Sequence, residues 1–302
     1  AQKKAKLDKC PHVSEEARQL LAAAAAPPMR LVKFGSGDNQ VQAGQETALF
    51  RHEDKFYNST VLAATISDKL TGTELNKRIE AINALKFERI GIKIGVKAIA
   101  VINESSSADA FAAAAAAVKN QSKLAIILVS DSPQAIAAAV SKTAGVMPLI
   151  ASAKMDTAEA IAKIAKENNC PVVAKANSIE AISQLSEKIK AQGVEDIVLT
   201  LDGMNLRDQM FNLSRMRVLS LKKVFRPLGY PVISFVKGGS CDRQAAIATS
   251  LICKYSNIVV VDTVEPGAWL AMLTAVMNIY SDPQKPVQVE PKIYPVGEPN
   301  EN

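Results

Sequence analysis

Eight short apolar runs constrain the fold of this chain more than any other feature of its sequence. They are VLAATIS (61–67), KAIAVIN (97–103), LAIILVS (124–130), LIASA (149–153), VVAKA (172–176), IVLTLD (197–202), VISFV (232–236) and IVVVD (258–262). The runs are continuous rather than alternating, which indicates strands buried on both faces, as in a parallel sheet. Most begin 23 to 27 residues apart, the length of one strand, one helix and two loops. The sequence therefore predicts eight parallel strands that alternate with helices.

The segments between these runs carry the start and stop signals of helices. Ser132 and Pro133 stand where an N-cap and a first helical residue are expected, and Gly193 stands where a helix would end. Two longer gaps leave room for helices near 73–89 and 205–226. Eight such units predict an α/β fold, a closed (βα)8 TIM barrel, because closure leaves no exposed parallel edge. An open doubly wound sheet is the alternative, although no glycine-rich phosphate-binding motif follows any of the strands.

Two appendages flank the predicted barrel, to which we assign residues 45–282. We interpret residues 1–44 as a short helical arm at 14–26 followed by a linker, because the prolines after AAAAA cannot continue a helix. Residues 283–302 contain five prolines, which predicts an extended, Pro-rich strap. The glycine-rich FGSGDNQ (34–40) follows no clear strand and opens no helix, so we interpret it as a loop.

The segment TALFRHEDKFY (47–57) predicts one more β-element outside the eight strands. Its position just before the first strand suggests a hairpin that covers one end of the barrel. His52 lies in this segment, and we interpret it as a hydrogen-bonded structural residue rather than a metal ligand.

Composition and charge exclude several classes of function. The net charge of +6 is spread along the chain, whereas nucleic-acid binding usually needs a clustered basic face. The longest uncharged apolar runs, 110–118 and 266–280, are shorter than the ~18–20 residues of a membrane span. The four cysteines form no close pair and no zinc or redox motif, a sparse usage that fits the cytoplasm. We therefore predict a cytoplasmic protein that binds neither nucleic acid nor a membrane.

Candidate chemistry in a barrel lies just past the C-terminal ends of the strands. The polar residues at those positions are Asp68, Asn103, Glu104, Asp131, Lys154, Asn177, Asp202, Asn205, Lys237 and Glu265. Each acid can instead cap a helix. Lys175 lies inside a predicted strand, where it would be either a Schiff-base lysine or one that points outward or is ion-paired. The only histidines are His12 and His52, so a Ser-His-Asp triad or a histidine-rich metal site is not supported.

Four longer segments are more specific than these single residues. They are KKAKLDKCPHVSEEARQLLAAAAAPP, GQETALFRHEDKFYN, KKVFRPLGYPVI and MNIYSDPQKPVQVEPKIYPVGEP. Their order along the chain resembles the large (gamma) subunit of the corrinoid/iron-sulfur protein of the reductive acetyl-CoA pathway. The resemblance implies a TIM barrel between an iron-sulfur module and a corrinoid-binding domain, which agrees with the independent count of strands.

The same resemblance implies cofactors and partners. Cys10, followed by Pro11, matches the fourth ligand of a [4Fe-4S] cluster whose other three cysteines would precede Ala1. The corrinoid would be bound by a domain beyond Asn302. Its cobalt would accept a methyl group from methyltetrahydrofolate through a separate methyltransferase and pass it to acetyl-CoA synthase. The expected partners are the small subunit, that methyltransferase and acetyl-CoA synthase, and the barrel would be a component of a methyltransferase system without an active site of its own.

Two alternatives of other classes stay open. A free-standing, pterin-binding TIM-barrel methyltransferase would use Asp202, Asn177 and Asn103 to hold the pterin. A purely structural scaffold would neither carry a methyl group nor catalyse its transfer.

Two surfaces are also candidates for partner binding. The basic residues of the helix near 205–226 form either a solvated face or a docking patch for an acidic partner or for the corrinoid domain; they are Arg207, Arg215, Arg217, Lys222, Lys223 and Arg226. The uncharged helix at 266–280 carries apolar residues on more than one side. We expect the small subunit to cover its second side, with the Pro-rich strap as the alternative, and the isolated chain to be poorly soluble.

Overall fold

The computed structural model describes Ser14, Glu16 and residues 26–281 of the chain. The strands are β1 (Leu31–Phe34), β2 (Val41–Gly44), β3 (Val61–Ser67), β4 (Lys86–Arg89), β5 (Ile92–Gly95), β6 (Ala98–Ile102), β7 (Ala125–Val129), β8 (Leu149–Ala153), β9 (Val172–Ala176), β10 (Ile197–Leu201), β11 (Ile233–Val236) and β12 (Ile258–Val261). The helices are α1 (Gly72–Asn83), α2 (Ala108–Gln121), α3 (Pro133–Lys142), α4 (Ala158–Asn168), α5 (Ile179–Ala191), α6 (Leu206–Leu221), α7 (Cys241–Cys253) and α8 (Pro266–Ile279).

Eight parallel strands form a nearly closed barrel, with a helix following each strand. The first and last barrel strands are neighbours, since Val61 of β3 pairs with Ile258 of β12. Strands β10 and β11 are less extensively paired than the other neighbours and share one parallel bridge, between Leu199 and Val232. There the Leu199 N–H donates to the Pro231 carbonyl at 2.8 Å. The predicted (βα)8 fold is confirmed, and each predicted strand matches its counterpart within one residue at either end.

The interior of the barrel is closed at its N-terminal end by a hairpin that the sequence did not reveal. Strands β1 and β2 pair antiparallel, and Val32 and Phe34 are fully buried against the inward-facing alanines and valines of the barrel. Gly35 makes the turn after β1 at φ 87°, where a Cβ would lie 2.9 Å from the Asn39 carbonyl oxygen. The prediction that residues 34–40 form a loop after no strand is thus only partly right, because Phe34 ends β1, Gly37–Asn39 form a short 3-10 helix, and the connection joins two strands.

The predicted β-element at 47–57 is wrong. These residues form turns and bends without a strand, and a second hairpin lies instead at β4–β5, where the sequence predicted the end of a helix. Helix α1 ends at Asn83, well before residue 89. His52 is exposed, and its ring stacks on that of Phe50 with 5.6 Å between the ring centroids. The side chain thus makes an aromatic contact instead of the expected hydrogen bond.

A buried ion pair fixes the segment at 47–57 against helix α6. The Arg217 Nη2 atom lies 3.2 Å from Glu46 Oε2 and donates to the Ala48 carbonyl at 2.7 Å. The guanidinium carbon also lies 5.0 Å from the ring centre of Tyr255 and 5.3 Å from that of Phe56. Burial raises the pKa of Glu46, although the charge and hydrogen bond of Arg217 act in the opposite direction. Arg217 is therefore a core residue that organises the barrel entry, and not part of a surface patch.

The chain itself buries most of the large apolar side chains of helix α8. Trp269, Met272 and Val276 are buried against the barrel, and the Trp269 Nε1–H donates to the Thr263 carbonyl at 2.8 Å. The β4–β5 hairpin lies beside the helix, where Arg89 Nη1 donates to the Thr274 hydroxyl at 2.7 Å. Leu270 is the single large apolar side chain of α8 that the described structure leaves strongly exposed, at 39%. The sequence therefore overestimated the apolar surface that α8 exposes, because other parts of the chain cover most of its large apolar side chains.

We expect Arg217→Met to lower the free energy of unfolding by about 3–5 kcal/mol, because it leaves the Glu46 carboxylate buried without its cation. The double variant Glu46→Gln/Arg217→Met removes both charges and should recover at least half of that loss. Urea unfolding at pH 7, followed through the fluorescence of the single tryptophan, Trp269, measures both values. A single variant that costs less than about 1 kcal/mol would contradict a structural role for the pair.

Candidate functional site

A chain of alternating charges crosses the C-terminal mouth of the barrel. Lys154 Nζ lies 2.7 Å from Asp131 Oδ2, and Lys175 Nζ lies 3.8 Å from Asp131 Oδ1. The same Lys175 Nζ lies 2.9 Å from Asp202 Oδ2. These four residues come from the ends of β7, β8, β9 and β10, which are consecutive neighbours in the sheet. We call them the mouth network; it holds two acids and two bases and is neutral as a unit.

Period-two alternation explains why Lys175 points into the mouth. Val173 of β9 faces the barrel interior, so the side chain two residues later faces the same way, one layer nearer the mouth. Lys175 lies beside Thr200 in the β9–β10 register. An inward-facing lysine at this level needs anionic partners, and Asp131 and Asp202 supply them.

The mouth network separates two small cavities. One, of about 340 Å³, has a floor that includes Val129, Thr200 and Phe235, and Lys237 stands at its edge. The other, of about 440 Å³, lies outside the strand ends against Met155 and Leu185 of the neighbouring loop and helix, and Asn177 lines it. Lys175 and Asp202 line both cavities.

The surroundings of Asp131, Asp202 and Lys154 favour the ionised state of these three groups. For Asp131 and Asp202, partial burial opposes ionisation, but the hydrogen bonds and charges of Lys154 and Lys175 outweigh it and lower the pKa of both carboxyls. The hydrogen bond to Asp131 raises the pKa of Lys154. Lys175 is thus ion-paired and faces the mouth, and among the alternatives that the sequence left open the structure supports this one. A Schiff-base lysine needs an amine that is free to attack a carbonyl, whereas the Lys175 amine is held between two carboxylates.

On the opposite side of the mouth, two acids hold loops in place. Asp68 is buried and accepts hydrogen bonds from the backbone N–H groups of Glu104 and Ser105, at 2.9 and 2.8 Å. Asp262 accepts from the Thr65 hydroxyl at 2.9 Å and from the Gly238 N–H at 3.2 Å. Sequence reasoning placed Asp262 at the end of a strand and missed this role, because the role depends on loops distant in sequence.

The remaining candidates are dispersed. Asn205 caps α6, and its side-chain oxygen accepts from the Asp208 N–H at 2.9 Å. Asn103 donates to the Ser130 hydroxyl at 2.9 Å, and its Oδ1 atom is buried without a partner. Glu104 accepts from the Ser67 hydroxyl at 2.6 Å, and Glu265 is an exposed N-cap residue that makes no capping bond. Of the trio expected in a pterin site, Asp202 and Asn177 share a cavity, and Asn103 is absent from its lining.

The described residues offer no site for a metal ion or an iron-sulfur cluster. Across residues 26–281, no three side chains of His, Cys, Asp or Glu are grouped as ligands. Cys170 is buried, which raises the pKa of its thiol to about 11, and Cys241 and Cys253 are free thiols near the surface. Cys10 and His12 lie outside the described residues. Within the described part of the chain, no helix has the length and apolar character needed to cross a bilayer.

The predicted basic patch on α6 is divided by the fold. Arg217 faces the core, and Arg226 donates to the Pro27 carbonyl at 2.6 Å, which ties it to the N-terminal segment. Lys222 pairs with Glu53 at 3.0 Å. The Arg215 guanidinium lies 5.8 Å from the ring centre of Phe211 and is exposed. The solvent-facing part of the patch is therefore smaller than predicted and is mixed with apolar side chains.

Solved structures with the same fold include several dihydropteroate synthases. One from Xanthomonas albilineans, solved with 4-aminobenzoic acid, has a TM-score of 0.57 and 12% identity, covering 84% of this chain and all of that one. Another from Clostridium difficile, solved in the presence of pteroic acid, has a TM-score of 0.52 and 15% identity over 74% of this chain and 97% of that one. At such identities the likeness concerns the TIM-barrel fold alone.

Sequence relatives are more informative. The corrinoid/iron-sulfur protein large subunit of Moorella thermoacetica is 38% identical, covering 99% of this chain and 67% of the relative. The acetyl-CoA decarbonylase/synthase complex subunit gamma of Methanothermobacter thermautotrophicus is 31% identical, covering 100% of this chain and 68% of the relative. Residues 31–302 match the CdhD family, described as CO dehydrogenase/acetyl-CoA synthase delta subunit. This chain therefore belongs to the family of corrinoid/iron-sulfur protein and acetyl-CoA decarbonylase/synthase subunits.

Proposed function

We propose that this chain is the barrel of the large subunit of a corrinoid/iron-sulfur methyl carrier in the acetyl-CoA pathway, and that it works in the cytoplasm. The carrier would take a methyl group from methyltetrahydrofolate through a separate methyltransferase and pass it to acetyl-CoA synthase. Residues outside the described ones would hold the corrinoid, whose cobalt would carry the group. The observation that carries this proposal is the 38% identity to the large subunit of such a protein over 99% of the chain.

The mouth network supports a scaffold role for the barrel. Its acids and bases are already paired with each other, at distances of 2.7 to 3.8 Å. A general base or nucleophile needs a group free to exchange a proton or to attack, and positioned against a substrate. The network instead braces four neighbouring strands at the open end of the barrel.

The places where the flanking segments join the barrel also support this role. Arg30 pairs with Asp196, the residue just before β10, at 2.8 Å. At the other end of the described chain, Tyr280 Oη lies 3.1 Å from the hydroxyl of Thr60, the residue just before β3. Arg51 donates to the Ser281 carbonyl at 3.1 Å. Both segments therefore meet the barrel at its N-terminal end, opposite the mouth, so that modules attached to them would share one side of the barrel.

Within this proposal, the [4Fe-4S] cluster depends on Cys10, with the other three ligands outside this sequence. The described residues do not fit a cluster, since they hold no group of three ligands. The corrinoid likewise belongs to a domain outside them. The small subunit and acetyl-CoA synthase follow from the names of the relatives; the methyltransferase is a further part of the proposal.

Cys10→Ala in the full-length protein should remove the electron paramagnetic resonance signal of the reduced cluster and lower bound iron by about four atoms per chain. Cys253→Ala, an exposed thiol of the barrel, is the matched control and should leave both unchanged. The corrinoid absorption should be the same in both variants. Full iron content and an unchanged signal in Cys10→Ala would show that Cys10 is not a ligand.

Lys175→Met and Asp202→Asn test whether the mouth is structural or catalytic. We expect each variant to keep methyl transfer within about twofold of the wild-type rate. Each should lose at most about 1 kcal/mol of stability at pH 7, because the pair is partly exposed and screened by solvent. A rate loss of 100-fold or more in a folded variant would favour the pterin-binding methyltransferase.

The stability difference between wild type and Asp202→Asn should depend on pH in a defined direction. The folded-state pKa of Asp202 is lowered, so its contribution is complete above the ordinary pKa of an aspartate, about 4. The contribution fades as the pH falls through the lower folded value. Urea midpoints should therefore differ at pH 7 and converge as the pH falls through the folded-state pKa; a difference that grows on acidification contradicts this sign.

A further inference from the structure

The outer side of helix α6 carries an unusual mixture of aromatic and basic side chains. Residues spaced by four, four, three and four positions form one stripe on this helix, and two apolar residues follow its C-terminal end. We call this set the outer α6 surface: Arg207, Phe211, Arg215, Val218, Lys222, Val224 and Phe225.

Exposure singles out this surface from the rest of the barrel. Phe211 is 63% exposed, and Val224, Phe225 and Val218 are 48%, 42% and 38% exposed. Ten large apolar side chains are strongly exposed among the described residues, and four of them lie between 211 and 225. Helix α8, the surface expected from the sequence, contributes only Leu270. The solvent-facing side of a barrel helix is normally polar, so a cluster of exposed apolar side chains there marks an interaction site.

The surface is held in a fixed shape from beneath. The other side of α6 is buried through Leu213, Met216 and Arg217, and Arg217 is locked by Glu46 and by the Ala48 carbonyl. On the outer side, the Arg215 guanidinium lies 5.8 Å from the centre of the Phe211 ring, a cation–π arrangement that orients both groups. A rigid surface loses little conformational entropy when a partner binds.

The charges indicate the chemistry of that partner. The basic residues around the apolar cluster are Arg207, Arg215, Lys222 and Lys223, all exposed. The two acids nearby are already engaged, since Glu53 pairs with Lys222 and Asp208 bonds with Asn205. A complementary surface would present apolar side chains surrounded by carboxylates. Aromatic and arginine side chains together are typical of the core of stable protein interfaces.

We propose that the outer α6 surface is where the small subunit of the carrier docks, through an apolar patch rimmed by acidic residues. This inference rests on the proposed function, which supplies the partner. A permanent subunit fits better than a transient partner such as the methyltransferase, because permanent interfaces are the more apolar ones. A permanent partner also explains why a phenylalanine as exposed as Phe211 is tolerated.

The experiment uses the full-length large subunit and its small subunit, with the dissociation constant measured by sedimentation. Phe211→Ser/Arg215→Glu should weaken the heterodimer at least 100-fold. Two controls match the changes elsewhere: Lys163→Glu reverses an exposed charge on α4, and Leu270→Ser removes the exposed leucine of α8. Each control should change the constant less than threefold. Wild-type affinity should fall as salt is raised, and the salt dependence should be shallower in Arg215→Glu.

Several outcomes would overturn the proposal. One is a double variant that binds the small subunit within threefold of the wild-type affinity. Another is a Leu270→Ser variant whose heterodimer dissociates while that of the double variant does not. A double variant that keeps the heterodimer but loses methyl transfer would assign the surface to the corrinoid domain. Trp269 fluorescence and the urea midpoint verify that each variant is folded. Subunit association and methyl transfer are separate measurements. A wild-type heterodimer that forms but carries no methyl group would therefore refute the proposed function without refuting the proposed interface.

Discussion

Closure of the parallel sheet is the constraint on which the rest of this structure depends. An open sheet of eight parallel strands would leave the outer backbone groups of its two edge strands unpaired. Here β12 pairs with β3 along four residues, and the single bridge at Leu199 and Val232 completes the ring between β10 and β11. Once the ring is closed, the strand ends must form a mouth at one end and a face for the flanking segments at the other.

The two ends of the barrel are finished by different physical means. At the N-terminal end, Phe34 and Val32 fill the interior, and the buried pair of Glu46 and Arg217 anchors the chain that leads into the first barrel strand. At the mouth, the inward side chains become polar, and Lys175 with its two carboxylates replaces apolar packing. An apolar core cannot extend to an end that is open to water. Charged side chains that are paired with one another can fill the barrel there instead.

The sequence predicts those elements whose burial is complete. The eight strands are buried on both faces, so their apolar runs are unbroken and their ends are predictable to within one residue. The two hairpins were not predicted from the sequence because their strands have four residues each. The strands of β4–β5 are also largely exposed, so no continuous apolar run marks them. Lys175 was visible as a charge within a strand, whereas its pairing with Asp131 depends on the register of three strands. The position of Arg217 was in principle readable, because Leu213, Met216, Arg217 and Ser220 form one helical stripe; its basic neighbours hid that pattern.

We propose that the barrel carries the methyl-transfer machinery without itself performing the transfer. The most direct test follows the cobalt absorption of the full-length protein, reduced to Co(I), after methyltetrahydrofolate is added with and without the separate methyltransferase. We expect conversion to methylcobalt(III) only when the methyltransferase is present. Conversion at a comparable rate without it, or a full-length protein that shows no corrinoid absorption, would show that this role of the barrel is wrong.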